Sequence, residues 1–226
     1  MKTIIELIKD KCREQPNKIA IIEKKHQLTY AELYSGICEY SNILIQKGVQ
    51  KNDIVMVVSD DSADIIMKNL AVMKAGGIFL LVDEDIPEER FRFIYNDAKP
   101  RFILSTNKFE ERALIKICKR ESIECIGYEG DISGKCEIDE GENLLDAAYI
   151  LYTSGTTGEP KGVIISNTSL MVFRNAIDCV VEYSKKDIVF LACTSMTFDI
   201  SILETIVTLS YGATCAKEKK KMKLVP

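Results

Sequence analysis

Residues 53–82 read D-I-V-M-V-V-S-D-D-S-A-D-I-I-M-K-N-L-A-V-M-K-A-G-G-I-F-L-L-V, and this stretch decides the fold. Asp53 to Ser59 is a short, apolar, valine-rich run of the kind that forms a buried strand. Ser62 to Ala75 then reads as a helix, which Gly76-Gly77 stops because glycine adopts the left-handed conformation that ends helices. Ile78 to Val82 is a second buried strand. Strand, helix and strand in so short a span form a βαβ unit, whose strands pair in parallel beneath the crossing helix.

The alternation extends in both directions. Upstream, residues 3 to 13 predict a short amphipathic helix ended by Pro16, and Lys18 to Glu23 a strand. After a polar turn at His26, Thr29 and Glu32 have the spacing of a capping box, opening a second helix that Gly48 closes. Downstream, Pro87 opens a helix in its first turn, residues 101–105 form a strand, and residues 108–119 and 122–126 follow as helix and strand. Tyr128 to Asp146 carries glycines and acids without a period and reads as a long surface loop. Ala147 to Tyr152 and Val163 to Ile165 are extended, 168–181 is helical, 187–191 is a strand, and an amphipathic helix follows Phe198. The expectation is an α/β fold with mainly parallel sheets flanked by helices.

Composition limits the function. The chain has 226 residues, 46% hydrophobic and 28% charged, which is globular and excludes disorder. Thirty basic against 34 acidic residues give a net charge of −4, which argues against nucleic acid as a partner. Glu6 and Lys9 interrupt the first apolar stretch, so neither a signal peptide nor a membrane span is expected, and the expected location is cytoplasmic. The eight cysteines are scattered and read as reduced core thiols. The single histidine, His26, has no cysteine beside it and reads as a surface residue, against both a zinc site and a Ser-His-Asp triad. The lysine run after residue 214 reads as a solvated tail.

One segment has the chemistry of an anion site. Tyr152-Thr153-Ser154-Gly155-Thr156-Thr157-Gly158-Glu159-Pro160-Lys161-Gly162 combines hydroxyl donors, glycines whose backbone N–H groups can converge on an anion, and a mobile lysine. It is not a P-loop, because Gly162 follows Lys161 where Ser or Thr is needed and strand follows where helix is needed.

The same segment, Y-T-S-G-T-T-G-E-P-K-G, resembles the signature loop of the adenylate-forming superfamily. L-T-Y-A-E-L (28–33), M-K-A-G-G-I-F-L-L-V-D with I-P-E-E-R (73–90) and F-D-I-S-I-L-E-T-I-V-T-L-S-Y-G-A-T (198–214) resemble the amino-acid adenylation domains of non-ribosomal peptide synthetases, in the same order. The likeness covers residues 1–214, the N-terminal part of such a domain. It implies that Thr153, Ser154, Gly155, Thr156, Thr157, Gly158 and Lys161 hold the β- and γ-phosphates of ATP. It also implies that Phe198-Asp199 presents a carboxylate to the substrate's α-ammonium, with Ile200 and Leu203 along the side-chain pocket. Read without the resemblance, Asp199 is a helix N-cap. The implied reaction converts an amino acid and Mg²⁺-bound ATP to aminoacyl-AMP and pyrophosphate, and the acyl group then passes to phosphopantetheine on a carrier protein. A D-alanine:carrier-protein ligase would share the loop and the aspartate. Asn167 stands where the family commonly has histidine. The adenine, ribose and magnesium contacts, and the lysine that stabilises the transition state, are expected beyond Pro226. A truncated chain, inactive without a C-terminal half, follows, as does the alternative of a non-catalytic remnant that binds phosphate weakly.

Overall fold

The computed structural model describes residues 2–58, 62–106, 125–128, 146–154, 159–184 and 187–217. Helix α1 (Ile4–Glu14) starts at Thr3, whose hydroxyl accepts from the Glu6 N–H while the Glu6 side chain accepts from the Thr3 N–H. Helix α2 (Tyr30–Gln46) starts with the predicted box: Thr29 Oγ1 accepts from Glu32 N at 3.2 Å and Glu32 Oε2 from Thr29 N at 2.7 Å. These reciprocal bonds use amide donors that the first helical turn leaves without a partner.

Two sheets carry the remaining elements. One has the order β2-β1-β10-β9, with β1 (Ile19–Glu23), β2 (His26–Thr29), β9 (Val189–Ala192) and β10 (Thr214–Lys217). The other has the order β6-β5-β3-β4-β7-β8, with β3 (Ile54–Val58), β4 (Ile78–Val82), β5 (Phe102–Thr106), β6 (Cys125–Tyr128), β7 (Ala147–Ser154) and β8 (Pro160–Ser166). Only β1–β2 and β7–β8 pair antiparallel among the described strands, so the sheets are mainly parallel, as expected. Helices α3 (Ser62–Lys74), α4 (Glu88–Ala98) and α5 (Asn167–Val181) join the strands. Gly76, at φ +80°, makes the turn from α3 into β4.

The parallel core strands are apolar throughout because both faces are covered. Val55 and Val57 belong to the larger core with α2 and α3, while Met56 and Val58 belong to the second core with Phe91 and Ile94 of α4. The helix after Phe198, α6, is irregular. It begins as α-helix over Ile200–Ile202, widens to a π-helical turn over Leu203–Val207, and closes as α-helix over Thr208–Ser210.

Several boundaries differ from the sequence reading. His26 is not in a turn but begins β2, an exposed edge strand. Pro87 is the N-cap of α4, one residue outside the helix. The strand expected at 122–126 is placed at Cys125–Tyr128. The expected helix at 108–119 and the loop after Tyr128 lie outside the described residues, as does the tail beyond Lys217. Cys215, Ala216 and Lys217, assigned to that tail by composition, form the strand between β1 and β9. The reduced-core reading of the cysteines also fails in part. Cys38 is disulfide-bonded, Cys179 and Cys193 are exposed, and Cys12 and Cys125 are half-buried.

Burial holds several acids in their protonated form. It pushes the Cys215 thiol up to about 12 from an ordinary 9.0, and the Tyr149 and Tyr183 hydroxyls up to about 12 from 10.0. The folded state keeps these protons after the unfolded chain has released them, so their contribution is complete below pH 9 and is lost as pH rises through 12. Urea titrations should therefore show stability falling across that window. Cys215→Ala should reduce the slope by one proton.

Candidate active site at the carboxyl ends of β4 and β7

In open parallel sheets, ligands bind outside the carboxyl ends of strands whose onward connections diverge. Here β4 leads back, through α4, to β5 on the far side of β3, whereas β7 leads outward to β8. The carboxyl ends of β4 and β7 are therefore the expected binding position, and Thr153 and Ser154 stand at the end of β7.

Thr153 and Ser154 are the last residues of β7, and the chain returns as an antiparallel hairpin with Thr153 opposite Lys161 and Ser154 opposite Pro160. Both Thr153 and Lys161 are exposed, so hydroxyl and ammonium are available together at the mouth of the hairpin. Gly155, Thr156, Thr157 and Gly158, between the two strands, lie outside the described residues.

The hairpin is anchored next to those residues. Tyr152 lies across Gly162 on β8, and its hydroxyl donates to Asp97 Oδ2 of α4 at 2.6 Å. A Cβ at position 162 would stand 3.0 Å from Tyr152 Cζ and 3.2 Å from its hydroxyl oxygen. Glycine here admits the ring, and the ring ties the hairpin to the helix. Gly162→Ala should therefore destabilise the fold by about 1–3 kcal/mol, the usual cost of overpacking. Adding Tyr152→Phe, which releases the ring from Asp97, should recover part of that loss in urea titrations.

On the other side, Phe198 and Asp199 lead into α6. Asp199 is the N-cap of α6, with Oδ1 accepting from Ile200 N at 2.8 Å, so the capping reading is correct as far as it goes. The side chain is nonetheless exposed, which leaves the carboxylate accessible to a ligand. Its field also reaches the sheet: burial is the main cause of the high Tyr149 pKa, and the Asp199 charge adds to it. Two residues before Asp199, Thr197 bonds to Asp83 at the end of β4, the strand that pairs with β7. Phe198 and Ile200 are exposed, while Leu203 is buried at the start of the π-helical turn.

Asp83 was missed as a candidate. It follows β4 directly and accepts a hydrogen bond from Thr197 Oγ1 at 3.3 Å, joining the strand end to the segment that precedes Phe198-Asp199. The carboxyl keeps part of its surface open, but the protein around it raises its pKa, and the Thr197 bond opposes that rise. Asn167 is the buried first residue of α5, and its N–H donates to Asp146 O at 2.9 Å. Among the described residues no group of three or more His, Cys, Asp or Glu is placed to hold a metal ion.

A segment of phosphate-binding composition at the end of β7 and an exposed acid at the start of α6 make up the candidate site. Residues 8–224 match the family of AMP-binding enzymes, and the chain belongs to that family. Gramicidin S synthase 1 of Brevibacillus brevis is 33% identical over 218 residues, covering 94% of this chain and 19% of the synthase. Bacitracin synthase 3 of Bacillus licheniformis is 30% identical over 213 residues, covering 94% of this chain and 3% of its own length. The non-ribosomal peptide synthetase FmoA3, in its AMPPNP-bound form, superposes with a TM-score of 0.80 at 22% identity, covering 95% of this chain and 22% of its own. The fold is that of the N-terminal portion of a peptide-synthetase adenylation domain, and the chain spans about a fifth or less of these proteins.

Proposed function

We propose that residues 1–217 form the phosphate- and amino-acid-binding part of an amino-acid adenylation site. The observation that carries this reading is the placement of Lys161 with Thr153 at the end of β7, while the exposed Asp199 follows a segment that Thr197 ties to Asp83 at the end of the adjacent strand β4. Lys161 and the Thr153 to Gly158 donors hold the β- and γ-phosphates of ATP, where they stabilise charge moving onto departing pyrophosphate. Asp199 pairs the α-ammonium and so directs the substrate carboxylate to the α-phosphorus. Attack there forms the acyl–phosphate bond of aminoacyl-AMP and breaks the bond to pyrophosphate. Ile200 and Leu203 line the side-chain pocket. When bound, Mg²⁺ would supply further neutralisation of the phosphates, and phosphopantetheine on a carrier protein would supply the thiol that accepts the acyl group.

Calorimetry on the 226-residue chain tests the phosphate half of this reading. Pyrophosphate or ATP should bind no tighter than roughly millimolar, about −4 kcal/mol, because the residues assigned here hold only the phosphates. Lys161→Ala should weaken binding further, since neutral donors do not replace a charge-assisted phosphate contact. Identical binding by the variant would remove Lys161 from the site.

A further inference from the structure

Thr194, two residues beyond the end of β9, is held on three sides by charged groups. Its N–H donates to Glu204 Oε2 at 2.9 Å and its hydroxyl to Glu204 Oε1 at 2.8 Å, while its carbonyl accepts from Lys217 Nζ of β10 at 2.6 Å. Glu204 is 6% exposed and is the second residue of the π-helical turn. Three residues earlier, the buried Ser201 hydroxyl donates to Phe198 O at 2.6 Å, with Met196 O at 2.9 Å. The loop Ser195–Asp199 is therefore fastened at its start by Glu204 and Lys217 and at its end by Ser201. Removing a carboxylate from water is costly, and here the cost is met by two donors from one loop residue. A π turn within an α-helix often marks a functional site, and this one brings Glu204 to the base of the loop that carries Asp199.

Resting on the reading of Asp199 given above, we infer that Glu204 and Thr194 are positioning residues for amino-acid binding. Through the loop they fix where the Asp199 carboxylate stands, and neither touches the substrate. The clamp acts on the amino-acid side of the site and leaves the Lys161 hairpin untouched.

The test is ATP–pyrophosphate exchange by the full protein that carries this chain, with the proteinogenic amino acids and D-alanine as probes. Thr194→Val removes one charge-assisted hydrogen bond and should raise the half-saturating amino-acid concentration about tenfold, with that for ATP changed less than about twofold. Thr194→Ser keeps the hydroxyl and should restore wild-type behaviour. Glu204→Gln should shift the same constant in the same direction. Because a variant could simply fold poorly, hydrogen exchange on each protein should show faster exchange at 194–199 in Thr194→Val and unchanged protection elsewhere. Equal shifts in both half-saturation constants, no shift, or no local change in hydrogen exchange would overturn the inference. Asp199→Ala separates the two levels. If it shifts the amino-acid constant and Thr194→Val does not, only the clamp fails. If neither shifts it, or wild type exchanges with no probe, the reading of Asp199 fails and the clamp falls with it.

Discussion

Asp199→Ala should reduce amino-acid-dependent pyrophosphate exchange by about 2–5 kcal/mol in a protein that carries this chain, and leave ATP binding almost unchanged. The magnitude follows from the proposed pairing: with substrate bound, the substitution leaves an ammonium with no carboxylate to pair it. The selectivity follows from the fold. Lys161 is held by the β7–β8 hairpin and Asp199 by the N-terminus of α6, so losing one side chain does not displace the other. Asp199 also caps α6 through Ile200 N, and loss of a cap costs about 0.5–2 kcal/mol of stability. Asp199→Asn keeps a capping oxygen and loses the charge. It should retain stability yet lose exchange almost as fully as alanine. Equal loss of ATP binding in both variants would assign Asp199 to folding instead.

Tyr30→Ala should remove about 3–5 kcal/mol of stability, a large share of the roughly 5–15 kcal/mol typical of a domain. Tyr30 is fully buried at the first turn of α2, and its hydroxyl lies 2.7 Å from Ala213 O and 3.0 Å from Leu209 O. It thereby connects the N-terminal helices to the end of α6 and the start of β10, about 180 residues away in sequence. Tyr30→Phe keeps the ring and loses only the hydroxyl contacts, so its cost should be about 1–3 kcal/mol. Urea unfolding of the two variants distinguishes lost packing from lost hydrogen bonding.

The parts of this fold legible in the sequence are those fixed by local chemistry. Gly76-Gly77 ends α3, Thr29 with Glu32 opens α2, and Ile78 to Val82 matches β4 residue for residue. Strand β2 was missed because its turn carries Lys24 at φ 57° with neither glycine nor asparagine, the residues that normally mark a tight hairpin. The antiparallel pairing of β8 was hidden for a related reason: Val163 and Ile164 are exposed, so an apolar run did not mean a buried strand. The π-helical turn over Leu203–Val207 contains neither glycine nor proline, so no residue type in it marks a departure from α-helix.

Site legibility divides in the same way. The residues from Thr153 to Lys161 and Phe198-Asp199 stand in contiguous motifs. Asp83 does not, because its link to Thr197 spans 114 residues and only the folded chain brings the end of β4 to that loop. In the sequence Glu204 is one polar residue in an amphipathic helix, and its role depends on a loop that precedes the helix.

In the proposed site an ammonium-pairing acid and a phosphate-holding loop act on one substrate. The most direct measurement is pyrophosphate exchange by the full protein with its preferred amino acid, compared with the same carboxylic acid lacking the α-amino group. Exchange should be strong with the amino acid and lower by about 2–5 kcal/mol with the des-amino acid, matching the loss in Asp199→Ala. Equal exchange with both acids would contradict the ammonium pairing.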